Sequence, residues 1–263
     1  MSRASAVTAR LLSAIVGRHA AALMLAAPRS ADALGALQLW TGAAGAPPNE
    51  LMPTDSIVKK MADEITKGTR TDVQMARAIY EWTVENTFRD PKTRGCGIGD
   101  VKAMLETGAL SGKCAELNAL FVALCRAAGV PARDVYGVRV ADSSRGYKSM
   151  GRLGDITKAQ HCRAEFYAQD VGWVPVDPAD VRRVVLEERP NLTLADNAVK
   201  QMRSFLFGNC LAYNDAHAVR LPGSKGAPVG FLMYPRAETS YGRLDALDPD
   251  SFKYRIVSRE IAS

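Results

Sequence analysis

The chain has 263 residues, 47% of them hydrophobic, and a formal charge of +6, enough apolar material for a substantial core. No run approaches the ~20 apolar residues of a membrane-crossing helix. No Lys/Arg stripe interleaved with aromatics suggests nucleic acid, so neither an integral membrane span nor a nucleic-acid partner is expected.

In chain order, Arg3, Arg10 and Arg18 precede an apolar run from His19 to Ala27, and Ala31-Asp32-Ala33 closes with small residues. This pattern predicts a secretory signal peptide over residues 1–33, cleaved after Ala33, and a periplasmic or secreted product. The product stays cytoplasmic if the signal is not used. Cleavage removes four arginines and one aspartate, leaving a charge of +3 and only a slightly basic protein. Residues 34–54, with Gly42, Gly45, Pro47, Pro48 and Pro53, read as an irregular lead-in to a single domain over 55–263. Asp55 is placed to cap a helix over 56–67 with Ile57, Met61 and Ile65 on one face. Thr71 or Asp72 begins another helix, with Val73, Ala76, Ile79, Tyr80 and Val84 inward. Asp90 to Gly99 is loop-like, and Asp100 opens a short helix through Glu106.

The most informative stretch is Leu110 to Arg133. Leu117, Leu120, Phe121, Leu124 and Cys125 recur at helical spacing, Ser111 and Gly112 suit the turn into the helix, and Gly129 with Pro131 stops it. Cys114 therefore falls in the first turn, where unpaired N–H groups and the helix dipole favour a thiolate. Cys125, on the apolar face, reads as a buried structural thiol. Glu116 and Asn118 on the same helix read as surface or helix-terminus residues. After Arg133 a strand runs through Val135 to Val140, and residues 141–158 read as a mobile loop that could border a cleft.

A nucleophilic thiol needs a base. Of the three histidines, His19 lies in the leader and His217 reads as structural or exposed. His161 opens a strand through Ala168, followed by a turn at Gln169, Asp170 and Gly172 and a second strand, Trp-Val-Pro-Val. A hairpin pivoting near Gln169 puts His161 opposite Asp177, where the carboxylate can orient the ring. The plain alternative for Asp177 is a turn residue before Pro178. Glu165 shares the parity of His161 and either bonds near these groups or faces solvent. Helices are expected over Asp180–Glu188 and Ala195–Phe207, and strands over 210–220 and 228–236.

These residues resemble a known family. Gly112-Lys113-Cys114 with Leu117, Leu120, Arg126, Gly129, Pro131, Ala132 and Arg133 is similar to the core motif of the transglutaminase-like superfamily. Gln160-His161 through Glu165, then Gly172-Trp173-Val174 and Asp177-Pro178, resemble its histidine and aspartate motifs in the same order. The resemblance covers roughly residues 55–180. It implies an α+β, papain-like fold, with the nucleophile helix on an antiparallel sheet and a catalytic triad of Cys114, His161 and Asp177. Many members carry Ala-Trp after the histidine and this chain has Cys162-Arg163, a departure that bears on substrate preference.

The implied activity is acyl transfer on peptide or amide bonds through a thioester, with hydrolysis favoured over crosslinking. The backbone N–H of Cys114 is the natural first oxyanion donor, and Trp82 is a weak candidate for the second. The substrate would be a protein or peptide, including a cell-wall peptide. A transglutaminase-like module that only binds such a partner is the alternative. The remaining cysteines, Cys96, Cys125, Cys162 and Cys210, permit one or two disulfides, Cys96 with Cys162 among them. No cysteine pair has metal-site spacing, so neither metal nor cofactor is expected.

Overall fold

A computed structural model describes residues 7–12, 22–23, 49–188, 193, 195–202 and 209–260. Its elements are β1 (Val7–Leu12), β2 (Ala22–Leu23), α1 (Ser56–Ile65), α2 (Asp72–Asn86), β3 (Phe88–Arg89), α3 (Val101–Thr107), β4 (Ser111–Gly112) and α4 (Cys114–Ala127). There follow β5 (Ala132–Arg139), a 3-10 turn (Lys148–Met150), β6 (Gly154–Asp155), β7 (Gln160–Ala168), β8 (Gly172–Val176), α5 (Pro178–Glu187) and α6 (Asn197–Met202). The last strands are β9 (Cys210–Asn214), β10 (His217–Val219), β11 (Val229–Phe231), β12 (Ala237–Thr239), β13 (Gly242–Arg243) and β14 (Arg255–Glu260). The fold is mixed α and β, as the resemblance implies.

The chain divides into two compact units. One comprises residues 28–135 and 162–207 and is built around α4. Every residue from Cys114 to Cys125 is buried, so α4 is enclosed on all sides rather than amphipathic. Helices α1, α2, α3 and α5 pack on it, and Tyr80 of α2 meets Phe121 edge-on at 6.3 Å. Caps appear where short polar side chains precede the apolar periodicity. Thr71 accepts from the N–H of Gln74 at 3.2 Å, and Asp100 from that of Ala103 at 2.9 Å. Asp55 occupies its N-cap position without a side-chain hydrogen bond, and the innermost residues of α1 are Val58 and Ala62 rather than Ile57, Met61 and Ile65. In α2, Ala76, Ile79, Tyr80 and Val84 are buried as expected, while Val73 is 51% exposed.

Helix α4 ends where Gly129 and Pro131 predict. Gly129 takes a left-handed φ of 89°, its N–H reaches the Arg126 carbonyl at 3.0 Å, and the Val130 N–H reaches Cys125 at 2.9 Å. Those two bonds satisfy carbonyls that the last turn leaves open, in a Schellman motif. The chain then enters β5. In this unit β7 and β8 form an antiparallel hairpin with Ala164 opposite Val176 and Ala168 opposite Gly172. The pairing centres on Asp170, one residue beyond the expected pivot. Arg163, not His161, would therefore stand across from position 177. β8 stops at Val176, and Asp177 caps α5.

The other unit comprises residues 1–27, 136–161 and 208–263. Here the second half of β5 pairs antiparallel with β9, and Val138, Val140, Ile156 and Ile256 form a buried cluster. Strand β14 pairs with β6 and with β1, and β12 pairs with β13 and with β2. The segment 141–158 is anchored rather than loose. Met150 and Ile156 are buried, and the Asn209 side chain donates to the carbonyls of Ala141 (2.8 Å) and Met150. Residues that drive this anchoring lie some sixty positions downstream, beyond any local pattern. His217 stacks edge-on against Tyr136 at 5.5 Å and reaches its hydroxyl at 3.4 Å, a structural role.

The leader expected over 1–33 lies outside the described residues apart from β1 and β2, as do most of the lead-in and residues 203–207 of the helix expected near 195. Among the described residues, no helix is long and apolar enough to cross a membrane.

Candidate active site

Cys114 is the first residue of α4 and is 6% exposed. The turn before it is set by Glu116, two residues on. Its carboxylate accepts the N–H of Lys113 at 3.0 Å and the N–H of Ile98 at 2.7 Å. It thereby satisfies one donor at the helix start and holds the Cys96–Ile98 loop against it. Gly97 and Gly112 flank that carboxylate so closely that a Cβ at either position would overlap it. Burial pushes the Glu116 carboxyl above its usual range, against the two N–H bonds, which pull it down. Glu116 thus has the helix-terminus role expected of it. The N–H of Ala115 is taken by the Cys96 carbonyl at 2.9 Å.

Asn118 departs from the surface role expected of it, for it is fully buried. It lies one turn beyond Cys114, and its amide donates to the Cys162 carbonyl at 2.9 Å and to Asp177 Oδ1 at 3.2 Å. Its own oxygen accepts the N–H of Ala179 at 3.4 Å. One side chain therefore ties α4 to β7 and to the cap of α5. A signal was present in the sequence: Asn118 is a polar residue inside the apolar run Leu117 to Leu124, where an amide persists only with partners.

Asp177 is buried, with Oδ1 also accepting the N–H of Asp180 at 3.1 Å, and Pro178 occupies the first helical turn as N-cap geometry favours. The turn-residue reading of Asp177 holds, because its carboxylate caps α5, and the same oxygen also accepts from the Asn118 amide. His161, bonded to Cys162 where β7 enters this unit, is 4% exposed. One ring nitrogen of His161 and one carboxylate oxygen each from Asp177 and Asp180 lie within 4.8 Å of one another. Asp180 was not singled out in the sequence, since its part depends on the turn from β8 into α5. Such a set could also ligate a divalent cation, a possibility that cysteine spacing does not reveal.

Cys162 follows His161 and is fully buried. Burial drives its thiol well above the ordinary range, and a hydrogen bond to Cys114 adds to the shift, keeping the proton on Cys162. Among the described residues no disulfide links Cys96, Cys114, Cys125, Cys162 or Cys210, so the candidate Cys96–Cys162 bridge is not formed. Cys125 is fully buried and its thiol is pushed far up by burial, the inert structural thiol expected of it. Glu165 is buried rather than facing solvent. It pairs with Arg133 at 2.8 Å and Arg163 at 3.0 Å, and the Arg133 guanidinium lies 4.1 Å from the Trp173 ring centre. Trp82 is half-buried on α2, and its carbonyl accepts from the Asn86 side chain.

Cys114 thus opens α4, Asn118 ties α4 to β7, and Asp177 caps α5. Residues 59–178 match the model of the Transglutaminase-like superfamily. Over 222 residues the chain is 40% identical to an uncharacterized protein of Haemophilus influenzae, covering 79% of this chain and 60% of that one. The chain thus spans about three fifths of the length of this curated relative. Among solved structures, the periplasmic domain of TgpA from Pseudomonas aeruginosa is 19% identical, with a TM-score of 0.40 over 55% of this chain and 48% of that one. Red sea bream transglutaminase is 15% identical, with a TM-score of 0.31 over 73% of this chain and 38% of that one.

Proposed function

We propose that the chain is a cysteine-dependent acyl transferase acting on peptide or amide bonds, with Cys114 as nucleophile, His161 as base and acid, and Asp177 as the group that orients the imidazole. The observation that carries this reading is the Asn118 amide, which bonds the strand of His161 and the carboxylate of Asp177 to the helix that begins at Cys114. In this reading the Cys114 thiolate attacks the scissile carbonyl, and the carbonyl oxygen takes up the charge. The N–H of Ala115 is already engaged by Cys96, which favours the N–H of Cys114 itself as the first oxyanion donor. His161 passes its proton to the leaving amine, the C–N bond breaks, and a thioester remains. Water then attacks with His161 as base and releases the acid, whereas a primary amine in the same position gives a new amide. Hydrolysis is the favoured outcome, because water needs no acceptor subsite. The substrate is a protein or peptide outside the cytoplasm.

The test is alkylation of the full chain by iodoacetamide from pH 5 to 9, followed by intact mass, with Cys114→Ala and His161→Ala in parallel. Fast labelling confined to Cys114 at pH 6, and slowed at least tenfold by His161→Ala, supports the reading. Labelling that rises only near pH 8.5, as for an ordinary thiol, or that ignores the loss of His161, turns the argument to a module that binds without catalysis.

A further inference from the structure

Two thiols, not one, meet at the start of α4. Cys162 is hydrogen-bonded to Cys114, and the backbones that carry the two are fixed to each other independently of that contact. The Cys162 carbonyl accepts from Asn118, one turn along the helix from Cys114, at 2.9 Å. Both residues are buried, at 0% and 6% exposure, so neither sulfur is free to swing into solvent. Cys96 is held to the same helix start, its carbonyl accepting the N–H of Ala115 at 2.9 Å. Nothing in acyl transfer calls for a second thiol there. A second sulfur in contact with a reactive one is what the second half of disulfide formation requires.

We infer that Cys114 and Cys162 form a reversible disulfide under hydroperoxide, with Cys162 as the resolving thiol that shuts off the nucleophile and protects it from irreversible oxidation. This inference rests on Cys114 being the reactive thiol. In the first step the Cys114 thiolate attacks a hydroperoxide. An S–O bond forms and the O–O bond breaks. Cys114 is oxidised to the sulfenic acid, and the peroxide is reduced and leaves as an alcohol, or as water from hydrogen peroxide, after taking a proton. In the second step the Cys162 sulfur attacks that of Cys114, the S–S bond forms and the S–O bond breaks. The departing hydroxide takes the Cys162 proton and leaves as water. A dithiol returns both residues to thiols by exchange.

The experiment treats the reduced full chain with one equivalent of hydrogen peroxide, blocks remaining thiols, and reads intact mass and non-reducing peptide maps. The expected product has lost two hydrogens, carries a Cys114–Cys162 cross-link, and labels with iodoacetamide at Cys114 at less than about a tenth of the reduced rate, recovering with dithiothreitol. Cys162→Ser, with Cys162→Ala as a second variant in case the first folds poorly, is expected to gain two or three oxygens at Cys114 that dithiothreitol does not remove. Wild-type protein that gains those oxygens with no loss of hydrogens overturns the inference, as does a cross-link between any other pair. The nucleophile reading fails separately, when Cys114 of the untreated reduced protein labels no faster than an ordinary thiol.

Discussion

At the scale of single residues, Asn118 holds together more of the site than any titratable group in it. Its amide has three partners on two other segments, β7 and the start of α5, and each is buried. Asn118→Ala leaves the Cys162 carbonyl and the Asp177 carboxylate short of a donor, at a cost of about 1–3 kcal/mol in urea unfolding. It also frees Asp177 to turn, so Cys114 alkylation should lose its dependence on His161 at pH 6. Asn118→Asp should not restore that dependence, because it replaces the donor with a second negative charge beside Asp177. A variant that unfolds earlier but keeps the His161-dependent pH profile would reduce Asn118 to a packing residue. Cys162 and Asp180 likewise take their parts only through space, for neither stands at a spacing from Cys114 or His161 that sequence periodicity interprets.

At the scale of elements, the helices and their ends were readable in the sequence because their determinants are local. Asp100 and Thr71 cap, Gly129 takes the left-handed turn, and Cys114 opens α4 as the residues around it require. The β7–β8 register was not readable to the residue, since the turn between the strands decides it. The register puts Arg163, not His161, across from position 177, and Asp177 stands past the end of β8 as the cap of α5. The burial of α4 on every face also escaped its amphipathic reading, as periodicity cannot register a helix enclosed on all sides. The start of α4 carries a pH prediction. The Glu116 carboxyl sits above its ordinary value of 4.5 because burial outweighs the bonds from Lys113 and Ile98. A carboxyl raised in this way holds its proton more tightly folded than unfolded. Its stabilising contribution is therefore complete below about pH 4.5 and is lost as pH rises through the folded value. Wild type should accordingly lose ground to Glu116→Gln in thermal unfolding as pH is raised from 4 to 7. A difference that stays flat, or grows in favour of wild type, refutes it. Asp155 and Glu187, held below their ordinary values, titrate in the opposite sense and cancel in the comparison.

At the scale of the molecule, the chain passes from one compact unit to the other within β5 and again within β7. The crossing on β7 falls between His161 and Cys162. Division of the chain into such units was beyond the sequence, because composition does not change at either crossing. The N-terminus gives the prediction that belongs at this scale. With a leader cleaved after Ala33, protein recovered from the periplasm should have an intact mass that begins at Leu34, and β14 would keep β6 as its only partner in that sheet. A recovered mass that includes residues 1–33 would refute the leader and leave β1 along β14.

The fit of Gly97 and Gly112 around the Glu116 carboxylate sets a rule for descent. A single replacement at either glycine collides with the acid, and a smaller residue at Glu116 strips the Ile98 and Lys113 N–H groups of their acceptor, so the three positions are free to change only together. Among related chains, drift at one of them should therefore be accompanied by drift at the others. A lineage that has abandoned the trio has found another way to begin the helix that carries its cysteine.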